Sequence, residues 1–360
     1  YGQDGDDVLV GGAGDDYLEG SYGSDTYVYN KGDGHDVINQ YTTSVDVGTD
    51  RLKFGEGIGT EDLELVRRGN DVTFSLKDGT GSVSVQNWYA NDYYKLDEVE
   101  FSDGTKWSAG DVASRTVAYG TDANDILGRA ENYDGNETIH AGGGNDEVHA
   151  GDGDDKVYGE AGNDKLYGGY GKDLLEGGEG NDLLDGGVGD DVLVGGAGDD
   201  YLEGSYGSDT YVYNKGDGHD VINQYTTSVD VGTDRLKFGE GIGTEDLELV
   251  RRGNDVTFSL KDGTGSVSVQ NWYANDYYKL DEVEFSDGTK WSAGDVASRT
   301  VAYGTDEGEV LGRAENYGGN ETIHAGGGND EVYAGYGDDK VYGDAGNDKL
   351  YGQDGDDVLV

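Results

Sequence analysis

The sequence predicts an all-β chain in which parallel β-roll (β-helix) solenoid blocks alternate with small antiparallel β domains. Three observations predict it. An aspartate returns every nine residues through 141–212, a β-rich stretch of different texture follows, and both recur in the same order. The unit Gly186-Gly187-Val188-Gly189-Asp190-Asp191-Val192-Leu193-Val194 shows the period in full. An apolar residue keeps the same frame as Val148, Val157, Leu166, Leu175, Leu184, Leu193 and Leu202, with Tyr211 last. A strand that alternates in and out places one such side chain per nine in a narrow core. The glycines of the intervening turn supply positive φ and close backbone packing.

Two nonapeptides make one coil of two strands, so residues eighteen apart stack on one edge. Asp146, Asp164, Asp182 and Asp200 form one predicted column, and Asp155, Asp173, Asp191 and Asp209 the other. At a coil spacing of roughly 4.8 Å such columns repel themselves unless cations lie between the carboxylates. Ca²⁺ fits, because carboxylates and turn carbonyls together offer the six to eight oxygens it takes at about 2.4 Å, whereas Mg²⁺ demands a tighter octahedron. A flexible acidic spacer would have no reason to hold Val or Leu at a fixed ninth position.

The chain divides in order. Residues 1–38 read as the end of a calcium-binding roll block, with Asp7, Asp16 and Asp25 over Leu9, Leu18 and Tyr27. Residues 39–119 read as an antiparallel β domain. Its candidate strands are 51–54, 63–68, 72–77, 82–88 and 96–101, with 105–108 short and last, separated by hairpin signals such as Asp78-Gly79 and Asp103-Gly104. Thr60-Glu61-Asp62 caps a short helical turn. Trp88, Trp107, Phe54, Phe74 and Phe101 are its expected core, with sugar stacking the sharper alternative. Residues 120–222 are roll again, 223–303 repeat the β domain, and 304–360 open a further roll block.

Residues 5–122 recur letter for letter as 189–306, and 351–360 repeat 1–10. The second return is shorter by two nonapeptides, one whole coil, a change that leaves every aspartate on its edge. The sequence tiles head to tail and reads as a window on a longer tandem array, with its native start elsewhere.

Acidic residues outnumber basic ones 76 to 25, a net charge of −51, and only 34% of residues are hydrophobic. Such a chain stays expanded without counterions, so ordering should depend on the metal. The same charge argues against nucleic acid and anionic membrane surfaces as direct partners. With no cysteine there are no disulfides or thiolate metal sites. No stretch approaches the roughly 18 to 20 apolar residues of a membrane span. The histidines His35, His140, His149, His219 and His324 form no His-Glu-x-x-His arrangement. Nothing singles out a carboxylate pair for catalysis, so the chain reads as non-enzymatic.

The glycine/aspartate nonapeptides resemble the calcium-binding RTX (haemolysin-type) repeats of secreted bacterial proteins, and 50–57, 60–67 and 98–107 resemble the haemolysin-type calcium-binding related domain that lies between RTX blocks. The resemblance implies calcium ligation by the last aspartate of each repeat with its eighteen-residue neighbour and turn carbonyls. Carried onto this chain, those ligands are Asp7, Asp16, Asp25, Asp146, Asp155, Asp164, Asp173, Asp182, Asp191, Asp200, Asp209, Asp330, Asp339, Asp348 and Asp357. Asp36, Asp125 and Asp220 depart from the strict spacing, and Glu137, Glu309 and Glu321 replace aspartate. The resemblance further implies type I secretion to the cell surface or medium and calcium-triggered folding into a rigid rod. It is expected to serve an adhesin stalk, surface layer or self-assembling filament, with self-association and a polysaccharide or cell-surface ligand as possible partners. The alternative expectation is an accessory module of a secreted epimerase, lipase, protease or toxin.

Overall fold

The computed structural model describes residues 1–40, 48–128, 135–224, 232–312 and 319–360. It is almost wholly β and falls into two compact units, Tyr1–Gly159 and Glu160–Val360.

In the second unit the nonapeptides wind into a parallel roll. Lys165–Tyr170 pairs with Leu183–Val188, and that strand with Tyr201–Tyr206. On the opposite side Leu174–Glu179 pairs with Val192–Ala197, and that strand with Thr210–Tyr213. The register is eighteen residues: Leu166 faces Leu184 and then Leu202, while Leu175 faces Leu193 and then Tyr211. These side chains fill the narrow interior, Leu166, Leu175, Leu184 and Leu193 each being fully buried.

The strands of the roll run to six residues. Leu183–Val188 runs through both glycines, because Gly187 still pairs with Gly169 on one side and Ser205 on the other. The residue two beyond the core leucine also faces inward and is a glycine, as at Gly186 and Gly195; two beyond Ile323 and Val332 it is Ala325 and Ala334, and two beyond Tyr211 it is Tyr213. The three residues Gly189, Asp190 and Asp191 between Leu183–Val188 and Val192–Ala197 turn the chain, and Gly189, at φ +151°, shows why glycine is needed. A Cβ on Gly189 would lie 1.4 Å from the carbonyl oxygen of Gly171 in the adjacent coil.

The segment between roll blocks contains the predicted antiparallel meander, Leu247–Arg252, Asp255–Leu260 and Ser266–Val269. Its two outer strands, however, join the roll by parallel pairing. Ser266–Val269 lies beside His219–Ile222, and Leu247–Arg252 lies beside Thr300–Tyr303. Arg235–Phe238 likewise continues the column beyond Thr210–Tyr213 and accepts Glu282–Glu284 in parallel on its far side. The meander is therefore an excursion of the roll, spliced in between two of its coils. The core follows suit: in the first unit Leu9, Leu18 and Tyr27 of the roll belong to one buried cluster with Phe54, Phe74, Trp88, Phe101 and Trp107.

Some local elements differ from the sequence reading. The strand expected over 82–88 ends at Val85, and the one over 96–101 covers only Glu98–Glu100. The helical turn at Thr60–Asp62 is a 3₁₀ turn. A helix not anticipated, Ala109–Ala113, begins at Ser108, whose hydroxyl accepts from the Asp111 N–H while the Asp111 carboxylate accepts from the Ser108 N–H. No described helix is long and apolar enough to cross a membrane.

Candidate metal centre

The repeat's last aspartate opens each strand and turns its carboxylate inward, towards the glycine five residues earlier. Cβ atoms built on Gly177, Gly186 and Gly195 would sit 2.2, 2.5 and 2.3 Å from Oδ2 of Asp182, Asp191 and Asp200. The inward glycine is thus a cradle for the carboxylate, a role distinct from turning the chain.

The carboxylates are linked along the roll by their own backbone. The N–H of Asp164 donates to Oδ1 of Asp182, and that of Asp182 to Oδ1 of Asp200, each at 2.8 Å. In the second column Asp173 donates to Asp191 at 2.8 Å and Asp191 to Asp209 at 3.0 Å. An outer ladder runs the opposite way: the N–H of Asn181 donates to Oδ1 of Asn163 at 2.7 Å, and that of Asp199 to Oδ1 of Asn181 at 3.0 Å. Asn163, Asn181 and Asp199, each just before a laddered aspartate, therefore pin the edge of the turn.

Oδ1 of Asp182, Asp191 and Asp200 uses this ladder, and the other oxygen of each has no hydrogen-bond partner. Oδ2 of Asp182, Asp191, Asp200, Asp220, Asp330 and Asp339 is buried and unpartnered. A buried anion costs several kcal/mol unless a cation or proton answers it. Desolvation pushes the carboxyls of Asp182, Asp191 and Asp200 up to about 7, 8 and 6, so the bare site already competes for protons near neutrality. The donor set fits a hard divalent cation. Among the described residues no three His, Asp or Glu side chains converge on a point, so the remaining oxygens would come from the stacked turn carbonyls.

Every aspartate that the spacing singled out stands in such a ladder. Asp7 donates to Asp25, and Asp330 and Asp339 to Asp348 and Asp357. Asp155 and Asp146 accept from Glu137 and Asp125 at 2.7 Å each. Asp16 donates to Asp36 and Asp200 to Asp220 across twenty residues, so these irregularly spaced aspartates keep their rungs. Glu309 and Glu321 likewise donate to Asp330 and Asp339 at 2.8 Å. Glu321 is itself almost wholly buried, and that burial pushes its carboxyl up to about 9.

Four members escaped the sequence reading. Asp25 donates to Oδ1 of Asp50 at 2.8 Å and Asp50 to Oδ2 of Asp97 at 2.8 Å, with Asp209, Asp234 and Asp281 arranged alike. The ladder thus steps across the meander, its rungs joining residues 25 and 47 apart in the chain. The histidines lie elsewhere. His140 is stacked between Tyr119 and Tyr158 at 5.3 and 4.7 Å between ring centroids, and His149 contacts Glu147 at 2.8 Å.

Comparison with known proteins agrees with this geometry. Residues 1–38, 132–222 and 316–360 match the RTX calcium-binding nonapeptide repeat through overlapping four-copy matches, and 71–111 and 255–295 match the haemolysin-type calcium binding protein related domain. The iron-regulated protein FrpA of Neisseria meningitidis serogroup C is 36% identical over 123 residues. That match covers 32% of this chain and 10% of FrpA, so the chain spans about a tenth of that protein's length. Among solved structures, the extracellular lipase LipA from Serratia marcescens aligns with 78% of this chain and 38% of its own, at 20% identity and a TM-score of 0.25.

Proposed function

This chain is a run of RTX calcium-binding nonapeptide repeats, broken twice by the haemolysin-type calcium binding protein related domain, and from that premise we infer that it is a calcium-triggered structural segment of a secreted protein. The observation that carries this reading is the row of buried, unpartnered Oδ2 atoms at Asp182, Asp191 and Asp200. Bound calcium supplies the positive charge that lets these carboxylates stay ionised inside the roll.

The residues do the rest. The glycine cradle fixes each carboxylate, the ladder N–H groups orient it, and Leu184 or Leu193 closes the core beneath. Where calcium is scarce, the net charge of −51 holds the roll blocks expanded. Where calcium approaches a millimolar, sites of roughly 10⁻⁴ to 10⁻³ M affinity fill. Each contributes only RT ln(1 + [L]/Kd), but many sites along one roll act together. Near-identical tandem copies favour a repetitive extracellular part, an adhesin stalk, surface layer or filament, over a single-copy accessory to an enzyme.

The test is circular dichroism with light scattering as calcium is raised from chelator to several millimolar, with magnesium as control. A cooperative gain of β-structure specific to calcium is expected, and scattering that rises with it supports the filament. A chain already fully folded in chelator overturns the calcium switch. Monomers at every calcium concentration overturn the filament.

A further inference from the structure

The rung at Asp234 is built differently from those of the regular roll. Between Asp209 and Asp234 the backbone bond is the usual one, from the Asp209 N–H to Oδ1 of Asp234 at 2.9 Å. Here, though, Oδ2 of Asp234 accepts a hydrogen bond from the side-chain amide of Gln224 at 2.6 Å. Oε1 of Gln224 accepts from the Tyr211 hydroxyl at 2.6 Å, and that hydroxyl accepts from the N–H of Gly204 at 2.8 Å. Tyr211 and Gln224 are both completely buried, and Asp234 is 2% exposed.

The position of this chain of bonds gives it meaning. Gly204 is the inward cradle glycine of Asp209, and a Cβ there would lie 2.3 Å from Asp209 Oδ2. The phenol and amide therefore occupy the space beside the carboxylates where the regular rungs leave an oxygen open. Tyr211 replaces the core leucine of the repeat, and the larger side chain is what reaches the rung. In the first unit Tyr27, Gln40 and Asp50 repeat the arrangement, with Gly20 donating to the Tyr27 hydroxyl at 2.9 Å and Gln40 donating to Asp50 Oδ2 at 2.5 Å.

A primary amide offers two N–H donors and no charge, so it satisfies a buried carboxylate oxygen without a metal. We propose that Gln224 and Gln40 are stoppers of the calcium column: each takes the cation's place at the rung that enters the related domain, and the run of calcium sites ends there. The proposal rests on the calcium reading above and adds to it a limit on where the ions stand. It also assigns a purpose to the tyrosine that closes each apolar row. The related domain then presents the roll with an end that keeps its ladder bonds whether or not calcium is present.

The experiment compares the full chain with its Gln40→Glu/Gln224→Glu variant by native mass spectrometry at saturating calcium. A carboxylate in place of each amide creates an open site, and the variant is expected to hold two more calcium ions than the unaltered chain. A folded variant with an unchanged ion count overturns the proposal. Should the variant not fold, the unaltered calcium-loaded protein decides by NMR hydrogen exchange of the Gln40 and Gln224 side-chain NH₂ groups. Slow exchange relative to the exposed Gln3 and Gln353 supports the stopper, and exchange as fast as theirs overturns it. A chain that binds no calcium at all instead removes the functional reading on which the stopper rests.

Discussion

The regular roll through 164–209 and the spliced segment through 235–303 share one device, a carboxylate ladder along parallel strands, yet they hold it by different means. In the roll the interior is one leucine per strand beside a glycine, and the inner carboxylates of Asp182, Asp191 and Asp200 each keep an open oxygen. In the spliced segment Phe238, Phe258, Phe285, Trp272 and Trp291 are buried together, with Phe238 and Phe285 stacked at 5.4 Å and Phe285 edge-on to Trp291 at 4.6 Å. At its entry Asp234 is answered by Gln224. The difference teaches that a thin solenoid with little apolar area per coil leaves its buried carboxylates to be answered by an ion, whereas the spliced segment adds an aromatic core of its own.

The largest effect expected from this contrast is regional. Removing calcium with a chelator should bring the amides of Leu183–Val188 and Val192–Ala197 to the exchange rate of an unfolded chain. Those of Asp255–Leu260 and Ser266–Val269 should retain protection, as hydrogen exchange resolved by mass spectrometry will show. Equal loss in both regions would break the comparison.

Much of the roll was legible in the sequence, because its contacts obey a covalent period. Once Asp182 and Asp200 are eighteen apart and Leu184 and Leu202 keep the same frame, register follows, and the structure pairs them so. Asp50 and Asp97 were not legible. The hairpins of the first unit's meander separate Asp97 from Asp50, and no fixed interval announces a rung 25 or 47 residues away. Glycine was read for its turns at Gly189, correctly, but the same reading could not find the cradle at Gly186, which depends on where a carboxylate five residues on is aimed. Tyr211 looked like one more apolar residue at the end of a row. Its hydroxyl matters only because the fold brings Gln224 to it. The parallel edges of the meander escaped for a similar reason: hairpin signals mark local antiparallel turns and are silent about a strand from another coil. The helix at Ala109–Ala113 did carry a signal, the Ser108 and Asp111 capping box, but five residues show no period.

A paired substitution sharpens the comparison at single residues. Phe258→Ala should cost about 3 to 5 kcal/mol, the range for deleting a buried aromatic, and the loss should persist in chelator. Gly189→Ala forces a positive-φ residue and a contact with Gly171 O, a strain of about 1 to 3 kcal/mol or more, and should appear chiefly as a higher calcium midpoint. Thermal and calcium titrations of both variants check this. A Phe258→Ala defect that calcium abolishes would mean that the aromatic core is not self-sufficient.

The smallest effect concerns protons, which compete with calcium for the roll alone. Desolvation raises the carboxyls of Asp182, Asp191, Asp200 and Asp220 to about 7, 8, 6 and 8 in the folded chain. The folded state therefore binds these protons more tightly than the unfolded one, whose aspartates titrate near 3.9. For the metal-free roll, stability rises as the pH falls through about 8 to 6, is fully gained below the unfolded value, and is lost again as the pH climbs through the folded values. The calcium-bound roll behaves in the opposite sense, since each ion must displace protons. Below these values its calcium midpoint should rise by roughly tenfold per pH unit for each proton displaced. Circular dichroism in chelator from pH 8 to pH 4 should thus show β-structure growing on acidification, and calcium titrations over the same range should show weakening midpoints. A metal-free chain that gains no structure on acidification would show that relief of the buried charge is insufficient, and that the turn carbonyls need the ion itself to hold their stack.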